Sequence, residues 1–278
     1  MEAAAQPAWG QGQSLRWDFA WMAHLAPFAP ALESALGRGL SVAQALDEMA
    51  KAAAQAETAQ PRPRPVMRFV SQDALPPGCA YESFIFEQGA CPSRHNLHDL
   101  FNGLTWLSFP RTKARLNELQ ATEIARHGVT EHRGALRDAL TLFDENGAVL
   151  LAPEPLKAAL RERAWQRLFV ELRPLWRRAR LLVFGHALQE KLQQPRKAIT
   201  AHVWLPPIEA DAPDLDAALA AGLHAAELAE KPYWPMPVLG VPGWYLPNEN
   251  LSFYDDAQVF RPAAARGGQL DNDKNVPR

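Results

Sequence analysis

The sequence predicts a single α+β domain, predominantly helical, with a small β-sheet. Three observations carry this. Apolar residues recur every three to four positions over most of the chain, as an amphipathic helix requires. Apolar runs of strand length are few, and helical stretches separate them from one another. Gly and Pro punctuate these stretches and set their borders. The 278 residues, 47% hydrophobic and 22% charged, have ordinary globular composition, which excludes a disordered or collagen-like chain.

Residues 1–13 and 263–278 are read as disordered tails around one globular unit over 14–262. Between Ser14 and Leu36, Trp17 and Trp21 lie four apart as on a helix face, and Pro27 and Pro30 split the stretch into two short helices. Ser41 and Gln44 form a capping box that opens an Ala-rich helix to about Ala56. The alternating prolines of 61–65 make an extended internal linker. Strands are expected at Val66 to Val70 and, more weakly, at the aromatic-rich Tyr81 to Phe86. Asn96 to Leu107 reads as a helix, and Pro110 starts another that stops at Gly128.

Gly134 to Phe143 is a further helix, Asp144 to Gly147 a turn, and Ala148 to Leu151 a short apolar run. Pro155 opens helical structure to about Arg180, broken at Pro174. Leu181 to Phe184 is a buried strand, His186 to Gln194 a helix behind Gly185, and Ala198 to Leu205 a strand. Asp214 to Ala229 reads as one helix, and the Pro- and aromatic-rich chain from Pro232 as an irregular segment over the core.

A formal net charge of -2 disfavours a nucleic-acid binder. Two cysteines, Cys79 and Cys91, are too few for a disulfide framework and read as reduced thiols of a cytoplasmic protein. The N-terminal Met1-Glu2-Ala3-Ala4-Ala5 lacks the basic start and apolar run of a signal peptide, and no stretch approaches the roughly 18 apolar residues of a membrane span.

Chemistry concentrates in a few segments. On the helix from Asn96, residues His95, His98, Asp99 and Asn102 share one face, and two imidazoles with a carboxylate suit a divalent metal. A solvated polar helix start fits the same residues. Arg111, Lys113 and Arg115 crowd a helix start, where guanidinium forks and free N–H groups bind phosphate or carboxylate; a solvated basic face is the plainer reading. Asp144 and Glu145 suit a metal or an acid–base pair, and equally a turn. At Gly185 an apolar strand enters a helix at once, and His186 and Glu190 lie four apart on its face. His202 reaches the same region if its strand pairs with Leu181 to Phe184. Nucleotide-binding and α/β-hydrolase fingerprints are absent.

Four blocks occur in order: Pro92 to Lys113 (containing His98-Asp99-Leu100-Phe101-Asn102), Arg137 to Glu145, Phe184 to Lys191, and Gly240 to Trp244 with Phe253 to Arg261. Together they resemble the proteobacterial family known as the domain of unknown function numbered 3025, over about Trp17 to Arg261. The resemblance implies a bacterial, cytosolic protein and supplies no activity or catalytic residue.

Two functions follow as expectations. The first is a divalent-metal-dependent hydrolase acting on a phosphate-containing or acidic small substrate. His98, Asp99, His186 and Glu190 hold the metal, Glu190 and His186 do the acid–base chemistry, and Arg111, Lys113 and Asn102 bind substrate. The second is a non-catalytic binding or scaffold protein, in which the same residues form a buried network and the aromatic C-terminal segment meets a protein partner.

Overall fold

The computed structural model describes residues 15–56, 67–128 and 134–262, so the linker at 61–65 and both tails lie outside the described residues. Short 3-10 turns at Ala20–Met22 and Ala26–Phe28 lead into α1 (Ala29–Gly37). Pro30 lies in the first turn of α1, where its missing N–H costs nothing, so it starts that helix instead of breaking one. Trp17 precedes all helical structure, and its indole donates to Glu33 at 2.9 Å. α2 (Val42–Ala56) opens on the expected capping box: Ser41 N–H donates to Gln44 Oε1 at 2.9 Å, and Gln44 N–H to Ser41 Oγ at 3.3 Å.

β1 (Arg68–Ser71) is followed by α3 (Tyr81–Gln88), where a strand was expected. Helix wins because Gly89, in the left-handed region at φ 56°, caps it by donating to Ile85 O, and one helical face buries Ile85. Aromatic content alone does not make a strand. The strand partner of β1 is instead β2 (Ala90–Ser93), parallel to it with Phe69 opposite Cys91. Pro92 hides β2 from a propensity reading, but a two-stranded sheet is all edge and tolerates it.

α4 (Leu97–Ser108), α5 (Pro110–His127) and α6 (Ala135–Asn146) follow. The turn expected at Asp144 to Gly147 does not form: α6 runs through Asn146 straight into β3 (Gly147–Leu151). α7 (Glu154–Arg161) ends where Arg163 takes φ 52°, and a π turn at Arg167–Glu171 and a 3-10 stretch at Arg173–Arg178 replace the longer helix expected there. β4 (Arg180–Val183), α8 (His186–Lys191) and β5 (Thr200–Trp204) agree with the sequence reading. The helix expected over 214–229 divides into α9 (Leu215–Ala221) and α10 (Ala225–Ala229), since Gly222 ends the first and His224 is extended. β6 (Tyr233–Pro237) lies in the segment expected to be irregular; its two prolines are accepted because it is an edge strand.

The larger sheet has the order β4-β3-β5-β6. β3 pairs antiparallel with β4 and parallel with β5, so β5 does not neighbour β4. Every residue of β3 is buried, as a strand covered on both faces must be. Ala148 and Leu150 face a core that includes Phe101, Leu104 and Leu188, while Val149 and Leu151 face a second one with Phe143, Phe184 and Trp204. Each fully buried Leu, Val or Phe among them contributes about 1.5–3 kcal/mol of transfer free energy. The result is one α+β domain, mostly helical, with small sheets. Among the described residues, no helix is long and apolar enough to cross a membrane.

Candidate functional site

Local chemistry sets the start of α4. Asn96 Oδ1 accepts the Asp99 N–H at 2.8 Å, capping the helix and placing His98 in its first turn. On the facing element, Gly185 brings β4 into α8. A Cβ there would lie 2.5 Å from Glu145 O and Gly147 N, so only glycine fits. The Phe184 and Gly185 N–H groups both donate to Gly147 O, at 3.0 and 2.8 Å. This seats His186 at the junction of α6 and β3, beside Glu145. Gln189 then ties α8 to α4: its amide donates to Val183 O at 2.9 Å, and Thr105 donates to its Oε1 at 3.2 Å.

His98 and His186 meet edge to face, Nε2 to Nε2 at 3.1 Å. Glu145 Oε1 stands 3.6 Å from His186 Nε2 and 4.0 Å from His98 Nε2. Among the described residues, His98, Glu145 and His186 form a group whose ligand atoms all fall within 4.8 Å of one another. Behind each ring stands another carboxylate. Glu190 Oε2 is 3.3 Å from His98 Nδ1, and Asp144 Oδ2 is 3.7 Å from His186 Nδ1, which is buried without a hydrogen bond. Lys113, only 4% exposed, holds Asp144 at 2.5 Å and Asn102 Oδ1 at 2.8 Å. Asn102 in turn donates to the Tyr81 hydroxyl at 3.1 Å.

The cluster forms part of the wall of a cleft of about 330 Å³ between α3, α4, α5 and α6. Burial pushes the His186 pKa down to about 3, with the Lys113 and His98 charges adding to the effect against Asp144, so the ring is neutral at pH 7. The hydrogen bond to Glu190 raises His98 above the ordinary histidine value, with Glu145 assisting. Burial raises the Glu145 carboxyl, whereas for Asp144 the same burial is outweighed by Lys113 and His186, and its pKa is lowered.

The residues singled out in sequence are sorted by this geometry. His98, His186 and Glu190 converge, and Lys113 and Asn102 stand directly behind them. Asp99 lines the cleft but is committed to Arg94, whose guanidinium takes both of its oxygens at 2.9 Å. Arg111 points elsewhere: it pairs with Asp214, and its N–H donates to Asp216 at 2.9 Å. His95 Nδ1 accepts the Val42 N–H at 3.2 Å. His202 sits opposite Gly147 in the β3–β5 ladder and does not line the cleft. Glu145 is the residue whose place in the cluster the sequence reading did not fix, because Asp-Glu-Asn-Gly looks like a turn. The apolar period of Leu136, Leu140 and Phe143 carries α6 one turn further and is the signal that reaches it.

A four-coordinate cation bound by nitrogens at about 2.0–2.1 Å has its ligand atoms roughly 3.3 Å apart. The separations here bracket that value. Histidines that hold a metal through Nε2 commonly donate Nδ1–H to a carboxylate or carbonyl; His98 makes that contact with Glu190, while His186 Nδ1 stands 3.7 Å from Asp144 without a hydrogen bond. A mostly helical α+β fold with a histidine–carboxylate cluster at the wall of a cleft is thus the class of protein in hand. Residues 67–264 match the family model described as "Protein of unknown function (DUF3025)", and the chain belongs to that family. No curated protein and no solved structure matches it.

Proposed function

We propose that the chain is a divalent-metal-dependent hydrolase. His98, His186 and Glu145 would hold the metal at the wall of the cleft. One observation carries the reading: the two Nε2 atoms face each other at 3.1 Å with Glu145 Oε1 beside them, while each Nδ1 is turned to a further carboxylate. Burial disfavours a charged His186, as a ligand nitrogen requires, whereas His98, raised by its hydrogen bond to Glu190, must give up a proton to bind. The metal would supply a water ionised near neutral pH and an electrophile for a carbonyl or phosphoryl oxygen. Glu190 acts through His98 as a positioning residue, and Asp144, held by Lys113, does the same for His186. Both cysteines are unpaired, which suits a cytoplasmic site of action.

The metal-free reading is a structural network, favoured by the continuous chain Glu190–His98–His186, in which one ring donates to the other. Metal content and thermal stability separate the two. The hydrolase reading expects about one divalent ion per chain and a melting point that falls on chelation and recovers on readdition. Stabilisation by about 2.7 kcal/mol is expected at a free metal concentration of 100 Kd. Glu145→Gln and His98→Ala should each abolish the shift. Purified protein without metal, and with no response to zinc, manganese or a chelator, would leave the scaffold reading.

A further inference from the structure

We infer that the substrate of this cleft carries a cationic amino group on an apolar stem, and that Glu82 receives that group. The inference rests on the metal reading above and concerns the part of the substrate away from the metal.

The charges on the wall decide it. Four carboxylates line the cleft, Glu82, Asp99, Asp144 and Glu145, against two permanent cations, Arg94 and Lys113. Both cations already have aspartate partners. Lys113 is buried between Asp144 and Asn102, and Arg94 lies bidentate on Asp99. Arg111, the third cation expected at this site, is bound to Asp214 outside the cleft wall. Glu145 turns to the histidines. What remains is Glu82, half-buried in the first turn of α3, whose carboxylate has no hydrogen bond or ion pair among the described residues. A cleft-lining carboxylate with no partner among the described residues is free to take a cation or N–H donor. A second anion would meet like charge there and find no unspent cation.

The remaining wall suits the same ligand. Ile85 and Leu116 offer apolar surface for a methylene stem, and the buried Gln120, which has no side-chain partner among the described residues, offers an amide to the polar end. The substrate that fits gives an oxygen to the metal at one end and an ammonium to Glu82 at the other.

Three hydroxamates built on the same six-carbon chain test this, since a hydroxamate chelates zinc and only the tail varies: aminocaproic hydroxamate, caproic hydroxamate and adipic monohydroxamate. Binding to the zinc-loaded full chain is measured by calorimetry. The amino tail should bind about tenfold more tightly than the neutral one, and the carboxylate tail most weakly. Raising the salt concentration should shrink the preference. Glu82→Gln should erase the ranking while leaving caproic hydroxamate unchanged. With zinc bound, a carboxylate tail that matches or beats the amino tail, or a preference that survives Glu82→Gln, overturns this inference alone. A chain that holds no zinc and binds none of the three overturns the metal reading and this inference with it.

Discussion

The N-terminus of α5 and the floor of the cleft are both built from charged side chains, yet they are opposites in hydrogen bonding. At α5, the buried Asp216 carboxylate accepts the Arg111 and Thr112 N–H groups at 2.9 and 3.0 Å and the Thr112 hydroxyl at 2.8 Å, while Arg111 pairs with Asp214. The carboxylates are matched by donors, and the arrangement caps a helix across more than a hundred residues of sequence. At the cleft, the two ring Nε2 atoms have only each other at 3.1 Å, and His186 Nδ1 has no hydrogen bond. Matched polar groups serve as architecture. A converging group with an unmatched buried atom is where a bound ligand would be sought.

The largest expected effect breaks the matched side. Asp216→Ala strips the first turn of α5 of its acceptor and should cost about 3 kcal/mol in urea unfolding, the scale of several buried donors losing one charged partner. A loss below about 1 kcal/mol would mean that water replaces the carboxylate and that the two regions are not so different.

His24 sharpens the comparison from a third place. Its Nε2 is buried without a partner although part of the residue is exposed, the ring packs on Phe109, and among the described residues no carboxylate pairs with it. Burial lowers its pKa to about 4, and the Arg180 charge adds to this. The unfolded chain takes up a proton near the ordinary value of about 6.5, which the native state refuses until about 4. Stability is therefore full above about pH 6.5 and lost as the pH falls towards 4, by about 2–3 kcal/mol. His24→Gln should flatten the part of the acid limb that His24 contributes; a limb of unchanged slope would contradict this.

Glu190→Gln is the smallest perturbation and touches only the unmatched side. It keeps a hydrogen-bonding group behind His98 but removes the charge, and zinc affinity should fall about tenfold, a typical loss for a changed partner behind a ligating histidine. Competition with a chromophoric chelator measures it. An unchanged affinity would remove Glu190 from the site.

Much of the fold is legible in sequence where periodicity and boundary residues agree: the Ser41–Gln44 box, Asn96 before α4, Pro110 and Gly128 around α5, and Gly185 before α8. Misreadings arise where a local signal competes with packing. Aromatic residues suggest a strand at Tyr81 to Phe86 until the Gly89 cap and the packing of α3 against α5 are seen. Prolines conceal β2 and β6, because edge position is a tertiary fact. The site divides the same way. His98, His186 and Glu190 announce themselves as polar residues on apolar helices. Glu145 joins them only because α6 outlasts its turn signal, and Arg111 leaves because Asp214 and Asp216 lie a hundred residues away and are invisible to any local pattern.

The missing side chain at Gly185 has a kinetic consequence. His186 reaches Glu145 only when the end of β4 lies on Gly147, and the β3–β4 pair closes over an intervening loop that contains α7. Loop closure of that length must be completed before the contact can form. The cluster is therefore expected to form no earlier than the β3–β4 pairing. A refolding chain offered cobalt should develop ligand-field colour no sooner than it protects the β3 and β4 amides from exchange, and colour in the earliest phase would show that the histidines find each other without the sheet.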